Sequence, residues 1–302
     1  DVLLSLVGSE MCIRDSPAAD QAFEVANPPV AIGGVGGSGT RLIARMLTSL
    51  GFDLGSDLNP ANDNLAFTLL FKLGSFWPLE QNQAALRQSI GIFLDTMYYR
   101  RPLATEQLRR LQELACTERH NAPTDWLQQR EQALLDLPAD GVIPERWGWK
   151  EPNTHIFLPA LLESIPGTRY IQVVRHGLDM AFSVNQAQLR FWGKALTGTE
   201  MTEPTPQNSF HYWCAAHRRI LEIGDQMGPD FLLLNFDRFC CSPEEGLQDL
   251  SRFLRIDIES DLRQELLAMV RRPASIGRHL ERERLEVSPG DAQLLERLGF
   301  DP

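Results

Sequence analysis

The stretch VAIGGVGGSGTRLIARML, residues 30–47, decides the fold. Val30 to Val35 reads as a buried strand, entered from Pro28-Pro29 and left through glycines. Ser38 to Leu50 reads as a helix that puts Leu42, Ile43, Met46, Leu47 and Leu50 on one face and stops at Gly51. Gly33, Gly34, Gly36, Gly37 and Gly39 keep side chains out of the turn between them, so backbone N–H groups can approach an anion. Ser38 and Thr40 add hydroxyl donors, and the helix N-terminus adds partial positive charge. The pattern is that of a phosphate-cradling loop without the usual lysine.

Working outward, the same alternation recurs. Trp147–Lys150, Tyr170–Val174 and Phe231–Phe236 read as strands. His155–Ser164, Leu178–Leu189, Ser209–Met227 and Pro243–Leu254 read as helices. Strands alternating with helices imply a parallel sheet covered on both faces. The expected fold is therefore α/β: a P-loop-like three-layer fold with a central parallel sheet. Residues 80 to about 140 read as helical throughout, an insertion without a strand. The charged tail beyond residue 271 is expected to wrap the surface.

The domain is expected to run over residues 28–302. Residues 1–27 are expected to be an unstructured or artefactual N-terminus, because DVLLSLVGSEMCIRDS resembles translated adapter read-through. It starts on Asp and is interrupted by Gly8, Ser9 and Glu10, unlike a secretory signal.

Net charge is −11, which argues against a broad nucleic-acid surface, so an anion would be held by a local pocket. No apolar run is long enough for a transmembrane segment. The five cysteines, Cys12, Cys116, Cys214, Cys240 and Cys241, are scattered and form no CxxC pair. That spacing signals neither a metal site nor a disulfide framework and suits a cytoplasmic protein.

The glycine loop fits two common nucleotide signatures poorly. A Walker A loop wants Gly-Lys-Ser/Thr, whereas the chain has Gly39-Thr40-Arg41. A dinucleotide fingerprint wants an acidic residue at a second strand end, whereas LGSDLNPAND, residues 54–63, reads as a loop.

Strand-SGTR resembles instead the 5′-phosphosulfate loop of sulfotransferases that use 3′-phosphoadenosine-5′-phosphosulfate (PAPS). In that family a strand ends in Arg, and a Ser in the next helix helps it hold the 3′-phosphate. YIQVVRHGLDMAFS supplies Arg175 and Ser183, eight residues apart. KEP at Lys150–Pro152 is similar to the Lys-Asp-Pro of tyrosylprotein sulfotransferases, whose lysine touches the transferring sulfuryl group. SIGR at Ser275–Arg278 resembles the glycine-basic loop that closes over the 3′-phosphate. The resemblance runs from about Val30 to Arg278.

The resemblance implies a PAPS-dependent sulfotransferase acting on a hydroxyl or amine, with adenosine 3′,5′-bisphosphate (PAP) leaving and no metal required. It implies a cofactor site of Gly36, Gly37, Ser38, Gly39, Thr40, Arg41, Arg175, Ser183, Gly277 and Arg278. Lys150 and Arg41 would stabilise developing charge, and Asp57 or Asp63 would take the acceptor's proton. No motif indicates the acceptor's class or the oligomeric state.

The family's loop lysine or arginine falls on Gly37, and the histidine of cytosolic sulfotransferases has no counterpart. Arg41 and Lys150 together are expected to replace the missing cation, and a lysine introduced at 37 to stand in for Arg41 in part. Arg41 could instead pair with Asp53 or Asp57. Arg175 could be a structural ion-pair partner. Arg100-Arg101, Arg109-Arg110 and Arg218-Arg219 read as solvated helix faces. Two alternatives stay open: a P-loop kinase or other nucleotide phosphotransferase, and a catalytically silent nucleotide-binding module.

Overall fold

The computed structural model describes residues 22–119, 122–200 and 203–302. Residues 1–21, where most of the expected unstructured N-terminus falls, lie outside them. Packing against the domain starts before residue 28. The Phe23 N–H donates to the Ser164 carbonyl (2.9 Å), and the Trp147 indole donates to the Asn27 carbonyl (2.6 Å).

Strand β1 (Val30–Gly34) leads through the glycine loop into α1 (Thr40–Ser49). A polar loop then reaches α2 (Leu65–Phe71), followed by α3 (Gln83–Met97), α4 (Thr105–Cys116) and α5 (Thr124–Leu135). Strand β2 (Gly148–Lys150) and α6 (Thr154–Ser164) precede β3 (Arg169–Val174). After β3 come α7 (Gly177–Ala181), α8 (Ala187–Thr197) and α9 (Pro206–Met227). Strand β4 (Phe231–Asn235) leads to α10 (Phe236–Cys241), α11 (Pro243–Leu254), α12 (Ser260–Met269) and α13 (Pro289–Arg297).

The four strands form one parallel sheet in the order β2-β1-β3-β4. Gly34 of β1 lies opposite Val173 of β3, and Val174 lies opposite Asn235 of β4. Side chains alternate across the pleat. Val30, Ile32, Ile171, Val173 and Leu234 face a core built with α1, α11 and α12. Ala31 and Tyr170 face the opposite core, with α2, α3, α6 and α9. The result is helix, sheet, helix: the expected three-layer α/β fold.

Three features differ from the sequence reading. The helix expected over 178–189 is two helices, because its middle is polar. The Gln186 side-chain amide donates to the carbonyls of Met180, Ala181 and Ser183 (3.3, 3.3 and 2.7 Å). Those bonds satisfy the end of α7, and the Asn185 carboxamide oxygen accepts from Ala187 N–H (3.3 Å) at the start of α8. Second, the tail does not merely wrap the surface. Leu294, Leu295, Leu298 and Phe300 close a third core against Met180, Phe210 and Trp213. Third, Arg219 is not solvated: it is largely enclosed and donates to the carbonyls of His155 and Ile156 (2.5 and 3.0 Å), tying α9 to α6.

Helices α3–α5 are helical as expected, and they are integral to the molecule. Ile90, Ile92, Phe93 and Leu94 pack in the same core as Trp147 and Trp149. No helix among the described residues is long and apolar enough to cross a membrane.

Candidate functional site

The carboxyl ends of β1, β3 and β4 are level with one another, and β2 stops slightly short. Chain connections leave β1 and β3 towards opposite faces of the sheet, α1 to one and α7–α9 to the other. A crevice between such strand ends is where open α/β sheets bind ligands.

At the end of β1 the loop is shaped by glycine. Gly39 has φ +98°, and a Cβ there would stand 2.4 Å from the Phe236 ring, so only glycine fits. Gly37 has φ +91°, and a Cβ there would lie in ordinary contact with the Met180 methyl (3.4 Å). The N–H groups of Gly36, Gly37, Gly39, Thr40 and Arg41 find no acceptor among the described residues. The Ser38 hydroxyl is buried and likewise has no partner. A cradle of free donors around an orphaned buried hydroxyl fits an anion.

The Gly37 backbone bears on the missing cation. A lysine placed there would have to adopt a left-handed conformation costing about 1–2 kcal/mol. The expectation that lysine at 37 could stand in for Arg41 is corrected accordingly. Arg41 is exposed on the first turn of α1 and pairs with no carboxylate among the described residues. Its two alternative partners are engaged elsewhere, Asp53 with Arg100 and Asp57 with Arg130 (2.8 Å).

At the end of β2, Lys150 is 2% exposed. A buried ammonium needs a counter-ion, and Asp63 provides it in an ion pair. The Lys150 Nζ also donates to the Ala61 carbonyl (3.0 Å). Asp63 is held by the Asn59 side-chain amide (2.8 Å). Lys150 lies opposite Ile32, two residues before Gly34, and its hydrogen bonds go to the 57–64 loop, not to the glycine loop. Asp57 sits at the other side of that loop; burial pushes its carboxyl up while Arg130 pulls it down. Burial also raises the neighbouring Glu151, whose carboxylate is occupied by the Asn153 backbone and side-chain N–H groups at the start of α6.

At the end of β3, the buried Arg175 guanidinium donates to Asp237 (3.2 Å) and Ser275 Oγ (3.1 Å). Arg175 thus has the structural ion pair considered as its alternative role, and it keeps further donors. Ser183 Oγ lies 3.8 Å from where a Gly37 Cβ would be, which brings it beside the glycine loop. Gly277 turns the chain at φ +83°. Arg278 donates to the carbonyls of Ser275 (3.2 Å) and Phe182 (3.3 Å). Burial and the charges of Arg175 and Arg282 make Arg278 less basic than a free arginine. A cluster of like charges held together in this way suits a ligand with several negative charges.

The structure therefore brings Ser183 beside Gly37, and it joins Arg175 and Arg278 through Ser275, with Arg278 also held to Phe182 next to Ser183. It groups Lys150 with Asp63 on the β2 side and places Asp57 against α5. The sequence reading missed Asp237 and Asp179. Asp237 lies in the first turn of α10, two residues after β4, so its place just beyond a strand was its signal; its partner became evident only with the strand order. Asp179 lies in α7, four residues after Arg175.

Comparison with known proteins agrees with this architecture. A model of the sulfotransferase family matches residues 28–260. The fold is similar to the sulfotransferase domain of the Synechococcus PCC 7002 olefin synthase, with TM-score 0.51, 18% identity, and coverage of 93% of this chain and 98% of that one. It is equally similar to the sulfotransferase domain from the curacin biosynthetic pathway: TM-score 0.51, 16% identity, coverage 92% and 99%. No curated protein matches the chain.

Proposed function

The chain belongs to the sulfotransferase family, and on that premise we propose that it moves a sulfuryl group from PAPS to a hydroxyl or amine acceptor. The acceptor oxygen or nitrogen attacks sulfur in line, the bond from sulfur to the 5′-phosphate oxygen breaks, and PAP leaves. The free N–H groups of Gly36, Gly37, Gly39, Thr40 and Arg41, with the hydroxyls of Ser38 and Thr40, hold the 5′-phosphosulfate. Arg175, Ser183, Gly277 and Arg278 hold the 3′-phosphate.

Catalysis on this reading is positioning plus charge stabilisation. Arg41, without a carboxylate partner among the described residues and on the first turn of α1, folds over the loop and supplies the cation that Gly37 lacks. Its guanidinium suits forked contacts with phosphate or sulfuryl oxygens. Lys150 turns from Asp63 towards the sulfuryl oxygens, and the released Asp63 carboxylate accepts the acceptor's proton. Asp63 suits this role better than Asp57, because it already touches Lys150. We place the reaction in the cytoplasm, on the scattered cysteines.

The observation that carries the proposal is the pairing of free loop donors and the orphaned Ser38 hydroxyl with the arginine cluster one strand away. Thermal unfolding with nucleotides tests it. PAP at a hundredfold excess over its dissociation constant should stabilise by about 3 kcal/mol, and ATP with magnesium much less at the same concentration. Equal or greater stabilisation by ATP with magnesium would replace this reading with a phosphotransferase.

A further inference from the structure

Asp179 has no role in the site as described, yet it is completely buried beside it. Its carboxylate accepts the N–H of Gly277 (2.7 Å), the N–H of His279 (3.0 Å) and the His279 ring Nδ1–H (2.7 Å). All three donors come from one short segment about a hundred residues further along the chain. Burial opposes ionisation of Asp179, yet the donors together hold its carboxyl below the usual range. The His279 ring also packs on the ring of His176, with centroids 4.4 Å apart, directly after Arg175.

The same segment contains Arg278. Apart from Asp179, the polar ties of residues 275–281 to the rest of the domain, among the described residues, are Arg175 to Ser275 Oγ (3.1 Å) and Arg278 to the Phe182 carbonyl (3.3 Å); further along, Gln207 holds Glu286 (2.9 and 3.0 Å). Residues 270–277 and 282–288 have no helix or strand of their own. Three charge-assisted hydrogen bonds to a buried carboxylate are therefore the strongest restraint on where Arg278 sits.

We propose that Asp179 and His279 form a clasp that holds Gly277 and Arg278 against Arg175, and that this clasp, acting through Arg278, sets the preference for a nucleotide with a 3′-phosphate. Both are positioning residues. The inference rests on the PAPS reading and adds the device that shapes its 3′-phosphate site.

The test compares dissociation constants for PAP and for adenosine 5′-monophosphate by calorimetry. The wild type should prefer PAP. His279→Ala removes the ring donor from a side chain only 17% exposed and should cut the preference about tenfold, leaving 5′-monophosphate affinity unchanged. His279→Asn keeps a donor near Nδ1 and should recover most of the preference. An unchanged preference in His279→Ala, or equal weakening of both nucleotides, would overturn the clasp. A wild type without preference would remove the PAPS reading, and the clasp's role with it.

Discussion

The two ends of the crevice are made of different materials. At the end of β1 the donors are backbone N–H groups and hydroxyls, and Arg41, the basic side chain there, stands exposed without a carboxylate partner among the described residues. At the end of β3 the donors are guanidinium groups pinned by Asp237, Ser275 and neighbouring carbonyls. The second end is organised in advance, because each arginine already has fixed partners. The first is organised by glycine conformation, and its cation has to be brought in. A ligand with one anionic group at each end would find a rigid anchor at β3 and an adaptable, reactive grip at β1. Such a division suits a donor held by one phosphate while the other end reacts.

Between the two ends in role stands Lys150, and its removal should have the largest effect. Lys150→Ala is expected to lower kcat by about a hundredfold or more, with PAP affinity nearly unchanged. Steady-state kinetics beside calorimetry separates the two; normal kcat would make the lysine structural. The next effect should come from the anchor. Arg175→Ala, read by calorimetry, should weaken PAP about tenfold to a hundredfold and 5′-monophosphate little. Equal losses for both nucleotides would erase the contrast between the ends.

Arg41→Thr should cost about tenfold in kcat/KM, since a single exposed cation adds to donors already present. Adding Gly37→Lys to it should restore nothing and should lower stability, because φ at Gly37 is +91°. Recovery of turnover in the double variant would show that the loop relaxes.

The smallest expected effect concerns acid. Burial lowers His155 to about 3 and His217 to about 4, so both are neutral inside the fold. In the unfolded chain each binds a proton near pH 6.5, so stability falls as pH drops below that value, continuing towards the folded pKa. From pH 7 to pH 6 the loss should be about 0.7 kcal/mol for each. His155 touches Gln188 (3.5 Å), which holds the Gly34 carbonyl (3.1 Å), and it remains neutral there, so the acid effect is on global stability. A melting temperature that falls equally in wild type and in a His155→Gln, His217→Gln variant would contradict this.

How much was legible before the structure differs in the same way between regions. The β1 end was readable because its information is local: an apolar run, glycines and an amphipathic face. β3, β4 and α11 were readable for the same reason. The break between α7 and α8 was not, because Gln186 ends α7 by bonding three carbonyls, which periodicity does not record. Leu294, Leu295 and Leu298 were overlooked because the surrounding charge masked a short apolar face. Arg175 and Lys150 stood out by position, whereas Asp237 depended on which strands are neighbours. Asp63 was recognised as a proton acceptor, and its role as counter-ion to Lys150 followed only from the folded 57–64 loop.

The most direct test of the account is sulfuryl transfer itself. PAPS labelled in its sulfuryl group would be incubated with the protein and fractions of a bacterial cell extract. The account predicts that label moves to an acceptor fraction in step with PAP release, and about a hundredfold more slowly with Lys150→Ala. Tight PAP binding with no transfer to any fraction would contradict it and leave a silent nucleotide-binding module.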